Sequence, residues 1–113
     1  MIEKLTTIHT EAVLELLVKY PAENVFLIGD VEVYGFHDPI QDVWGQFEDG
    51  KLIAILLRYD RNFIPYSERT YDVDGFARII NDYDGAIEVS GLAHVVEPLL
   101  PLMKRRVKKH SET

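Results

Sequence analysis

The sequence contains no cysteine. That removes disulfides, thiolate metal sites and cysteine nucleophiles together. The longest apolar stretches, such as Leu52 to Leu57, are far too short to cross a bilayer, and Ile2-Glu3-Lys4 after Met1 is neither a signal nor a transit peptide, so a cytoplasmic protein without membrane association is expected. The four histidines, His9, His37, His94 and His110, have no metal-ligand spacing and read as surface residues, so no metal is expected. Repeats and low-complexity tracts are missing as well.

What is present is ordinary globular material. Hydrophobic residues make up 47% and charged residues 27% of 113 positions, enough apolar surface for one core and one domain or lobe. The formal charge of −7 is unevenly spread. Lys104, Arg105, Arg106, Lys108 and Lys109 stand against Glu112 in the last ten residues, leaving −11 for the preceding 103. So acidic a body repels nucleic acid, and no nucleic-acid partner is expected. The basic run reads as a solvated segment, an internal counter-charge or the start of a linker.

Periodicity sets the elements. Ile2 to Leu5 reads as a strand. Ile8, Ala12, Val13, Leu16 and Leu17 then share one helical face, with Thr7 or Thr10 as cap and Pro21 as stop. A second helix is expected over Ala22 to Tyr34, with Val25, Phe26, Ile28, Gly29 and Val33 as its apolar stripe and Gly35 ending it; His37-Asp38-Pro39 is a turn. Val43 to Phe47 alternates, and Asp49-Gly50 precedes the continuous apolar run Leu52 to Tyr59. That pattern is a hairpin with a type I′ turn, its return strand covered on both faces. Asp60-Arg61 turns the chain into a strand over Asn62 to Tyr66. Asp72 or Asp74 caps a helix that turns Phe76, Ile79 and Ile80 inward. Ala86 to Val89 is a short strand closed by Ser90-Gly91. Leu92 to Met103 has helical spacing interrupted by Pro98 and Pro101. The order is β-α-α-β-β-β-α-β-α, an α/β (α+β) fold with a mixed, largely antiparallel sheet flanked by helices.

Several residues carry chemistry worth locating. Asp30 and Tyr34 lie one helical turn apart, and a carboxylate there can hold a cationic amine; Asn24 reads otherwise as a cap and Asp30 as part of a solvated face. Trp44 can stack on a ligand or pack a helix on the sheet. Arg58, Tyr59 and Tyr66 lie near strand ends, where α/β sites form, with ion pairing as the plainer role for Arg58.

The segments NVFLIGDVEVYGF (24–36), VWGQFEDGKLIAILLRY (43–59), FIPY (63–66), DGFARII (74–80) and SGLAHVVEPLLP (90–101) resemble, in that order, the N-terminal half of a group of bacterial GNAT-family N-acetyltransferases. The resemblance spans nearly the whole chain. It implies a GNAT-like lobe over residues 1–103 and a basic tail or linker start over 104–113, leading to a C-terminal catalytic lobe. It also implies that Asn24, Asp30, Tyr34 and Tyr66 lie on the side of an acceptor-substrate cleft, and it leaves homo-oligomerisation open. The family holds acetyl-CoA on an Arg/Gln-x-x-Gly-x-Gly/Ala loop between the fourth strand and the next helix. Here that junction reads Ser67-Glu68-Arg69-Thr70-Tyr71-Asp72-Val73-Asp74, with three acids and no glycine. The expectation is therefore a lobe without cofactor or catalytic residue of its own, acetyl-CoA being used by the full-length protein. The alternative is a non-enzymatic GNAT-like binding or dimerisation module.

Overall fold

A computed structural model of the chain describes residues 1–20, 24–36, 38–104 and 107–112. Strand β1 (Ile2–Lys4) leads through a 3-10 turn into helices α1 (Thr10–Val18) and α2 (Val25–Tyr34). Strands β2 (Gln41–Glu48), β3 (Lys51–Tyr59) and β4 (Asn62–Ser67) follow. Then come helix α3 (Val73–Asn81), strand β5 (Ile87–Leu92), the short helix α4 (Ala93–Val96), a 3-10 segment and strand β6 (Val107–Glu112). The six strands form one sheet in chain order. The first four run antiparallel, whereas β4–β5 and β5–β6 are parallel. The chain is thus a mixed α/β fold with a mostly antiparallel sheet.

The hairpin forms as its residues dictate. Asp49 and Gly50 both take positive φ (53° and 78°), the backbone of a type I′ turn, which follows the right-handed twist of the strands it joins. The ladder shifts register between Gln46 and Phe47. Parity then assigns each strand residue to one of two cores. Val43, Ile55, Leu57 and Tyr66 face α1 and α2, where Val13, Leu17, Leu27 and Val31 meet them. Ala54, Leu56 and Phe63 face Phe76 and Ile80 of α3, together with Val95 and Leu99. The run Leu52–Leu57 is therefore buried on both sides, as its unbroken apolarity requires. The β4–β5 ladder is short, with Asn62 opposite Glu88 and Phe63 opposite Val89. Pro65, two residues on, has no N–H to extend it.

Four expectations are corrected. Ile8 is 84% exposed, because it sits in the 3-10 turn before α1 rather than on that helix's buried face. On α2 the buried positions are Leu27 and Val31, while Val25 and Val33 are 57% and 74% exposed. The helix is apolar all round, so its pattern held no phase. Ser90-Gly91 does not close the fifth strand, which continues to Leu92. The basic C-terminal segment is more than a tail, since residues 107–112 form a strand parallel to β5. The interrupted helix behaves as its prolines dictate, one turn of α-helix passing into 3-10 geometry. Pro21, Ala22, His37, Arg105 and Arg106 lie outside the described residues, as do the side chains of Phe26 and His110.

Candidate functional site

Asp30 and Tyr34, at i and i+4 on α2, project from the same side of the helix. The C-terminal end of β3 delivers Tyr59 to meet them. The Tyr59 hydroxyl donates to the Tyr34 hydroxyl (3.2 Å), and the two rings lie 5.1 Å apart, tilted by 56°. Gln41, the first residue of β2, is the ladder partner of Tyr59 and so shares its face. Its Nε2 donates to the carbonyls of Asp30 (3.0 Å) and Gly35 (2.7 Å), tying the end of α2 to the sheet. Gln41 is fully buried, and among the described residues nothing donates to its Oε1.

The electrostatics of this cluster follow from its composition. Burial holds the Asp30 carboxyl above the usual aspartate range, and no described residue pairs with it. The Tyr59 phenol is pushed up too, first because its proton is held by Tyr34, then by burial, then by the negative charges of Asp30 and Asp60. The site is rich in acceptors and short of donors.

Arg58, one residue earlier on β3, points to the opposite face. Only 9% exposed, it donates from Nε and Nη2 to Asp42 Oδ2 (3.0 and 2.7 Å), and also reaches the carbonyls of Pro39, Ile40 and Asp60. Its guanidinium carbon lies 5.6 Å from the centre of the Tyr83 ring. Lys4 holds the other oxygen of Asp42 at 2.8 Å. Burial pushes the Asp42 carboxyl up, but the two cations outweigh that and hold it below the ordinary range. Arg58 is thus a structural ion pair. Half-buried Trp44 packs against the α3-side core and lines two adjoining grooves of about 510 and 520 Å³ beside α3.

The junction between β4 and α3 is filled from within. The Asp72 side chain caps α3 by accepting from the Gly75 N–H (3.0 Å), while the N–H groups of Val73 and Phe76 donate to the carbonyls of Tyr71 and Asp72. The Asp72 N–H donates to Gln46 Oε1 (2.7 Å). Tyr71 is buried and donates its hydroxyl proton to the Val95 carbonyl; burial pushes its phenol far up. Glu68 pairs with Lys19 of α1 and Arg69 with Glu48 of β2. A Cβ at Gly75 would meet Ile2 and the capping carboxylate of Asp72, so glycine here serves packing and the cap.

Of the four sequence candidates, two come together. Tyr34 meets Tyr59, which the sequence marked only as a strand-end residue, and Asp30 lies one turn earlier on the same helix face, its charge felt by Tyr59. Asn24 is 1% exposed and acts as a staple, its Nδ2 donating to the Leu17 carbonyl (3.0 Å) across the α1–α2 junction. Tyr66 is 3% exposed inside the α1–α2 core, opposite Ile55. It therefore lies four residues along the sheet from Tyr59, about 13 Å away. Gln41 was missed; its signal is its parity with Val43 and Gly45, which places a glutamine on a buried face. Among the described residues no group of three or more His, Asp or Glu is arranged to hold a metal, and no helix is long and apolar enough to cross a membrane. No protein-family model matches the chain, and no curated protein matches it.

Proposed function

We propose that this chain is a GNAT-like lobe that has no coenzyme site of its own and serves the acceptor side of an acetyltransferase. In the full-length protein a C-terminal lobe would carry acetyl-CoA, and an acceptor amine would attack the thioester directly, with no covalent enzyme intermediate. The contribution of such a lobe is positioning and proton removal around the amine. Two features support this reading. The order β1-α1-α2-β2-β3-β4-α3-β5-α4 follows the one read from the sequence, with β6 added after it. The self-capped start of α3 carries it: the N–H groups of Val73, Gly75 and Phe76 are already bonded to Tyr71 and Asp72, and Asp72 and Asp74 put negative charge at the helix start. Calorimetric titration with acetyl-CoA tests it. No heat of binding is expected from this chain, and micromolar binding would make it a self-sufficient domain instead.

A specific observation favours a second reading, a non-enzymatic module that pairs with another copy or another lobe. The outer face of α2 shows exposed Val25 and Val33 one turn either side of Gly29, whose surroundings are open. Sedimentation across a concentration series tests this face: self-association abolished by Val33→Glu supports pairing through it, and a chain that stays monomeric at high concentration counts against both readings.

A further inference from the structure

We infer that the groove between Trp44 and the end of α3 is a binding site for a small, uncharged aromatic molecule that carries an N–H or O–H donor, such as an indole or a phenol. The inference goes beyond acetyl transfer, since it concerns the α3 side of the sheet and a different class of ligand. It starts from the register. Asp42, Arg58 and Phe63 are ladder partners across β2, β3 and β4, so they form one row on the α3 face. Trp44, two residues along β2, stands on that same face. Helix α3 packs on Ala54, Leu56 and Phe63 of β3 and β4, which leaves Trp44 half-buried beside it. Ile79, Asp82 and Tyr83, at i, i+3 and i+4 around the end of α3, make the facing wall. The groove between them measures about 510 Å³, a volume that suits a small ligand.

The lining favours flat rings. Tyr83 stands edge-on to Phe63 (5.6 Å, 82°) and its ring centre lies 5.6 Å from the Arg58 guanidinium carbon, so the aromatic wall is held in place. The charges disfavour ions. Arg58 donates to Asp42 and to the carbonyls of Pro39, Ile40 and Asp60, so all five of its N–H groups are spent and none is left to clamp a carboxylate or a phosphate. Lys4 and Arg58 balance Asp42 and Asp82, so an ion entering the groove would lose water without gaining a net counter-charge. Asp82 is exposed at the rim and pairs with no other described side chain, and its carboxylate is free to accept an N–H or O–H from the ligand.

The test is an NMR titration of the whole chain with indole, read at the side-chain N–H of Trp44, the single tryptophan, and at the ring of Tyr83. Saturable shifts at both are expected. Trp44→Leu should weaken binding about tenfold, the loss of one ring-on-ring contact. Asp82 is exposed, so Asp82→Ala leaves the core intact. That variant should bind indole about threefold more weakly and bind 1-methylindole, which has no N–H to donate, unchanged. Shifts that do not saturate, cyclohexanol or indole-3-acetate binding as tightly as indole, or equal losses for indole and 1-methylindole in Asp82→Ala would each overturn the assignment. Tighter binding of N-acetyltryptophanamide than of indole would make the groove a seat for a protein side chain and overturn it as well.

Discussion

At the scale of single residues, two aspartates have opposite fates and predict opposite pH behaviour. Asp42 is held by Lys4 and Arg58, and its folded pKa lies below the unfolded value. Its contribution to stability is therefore present above the unfolded pKa and lost as pH falls through the folded one. Asp30 is half-buried, has no partner among the described residues, and has its folded pKa raised. Its ionisation works against the fold as pH rises through that value. Asp30→Asn should accordingly raise the urea midpoint at neutral pH, with the gain vanishing below the ordinary aspartate range. An unchanged midpoint at neutral pH would mean that the carboxylate is solvated after all. Arg58→Ala removes one of the two cations on Asp42 and the donor to three carbonyls, and should cost about 3 kcal/mol in urea denaturation. Asn24→Ala removes the stronger of the hydrogen bonds to the Leu17 carbonyl, leaving it the Tyr20 N–H at 3.3 Å, and should cost about 1 kcal/mol by the same measurement. Of the candidate site, the sequence disclosed the pair Asp30 and Tyr34, because helical spacing is a local property. It did not disclose Gln41 as their neighbour, because that proximity depends on β2 and β3 pairing in one register.

At the scale of elements, the sheet was the most legible part. Alternation in β2, unbroken apolarity in β3 and the Asp-Gly turn between them each have one physical reading, and the three agree. Gly50→Val forces a β-branched side chain into positive φ and should destabilise the hairpin by at least about 1–2 kcal/mol, seen as a lower midpoint with unchanged slope. Helix α3 was legible from its strong amphipathicity and its Asp72 cap; Asp72→Ala should cost about 1 kcal/mol. Helix α2 was legible only as a helix. With Val25, Leu27, Ile28, Val31 and Val33 around its circumference, the buried side is chosen by the sheet that receives it. The strand over residues 107–112 escaped notice because Lys108, Lys109 and His110 carry no apolar alternation, and its pairing with β5 is a backbone property.

At the scale of the whole molecule, 113 residues fold around one sheet with a core on each face and a radius of gyration of 12.8 Å, close to the ~13 Å expected of one domain this size. The two cores divide the chemistry. The α1–α2 face carries the half-buried Asp30, Tyr34 and Tyr59. The α3 face carries the Arg58 ion pair and a helix start whose backbone donors are bonded within the protein. A coenzyme pyrophosphate would have to displace the Asp72 cap and settle beside the carboxylates of Asp72 and Asp74. Calorimetric titration of this chain with acetyl-CoA puts that division to the test most directly. No binding is expected; a saturable micromolar isotherm would contradict the proposal and place a coenzyme site within this chain.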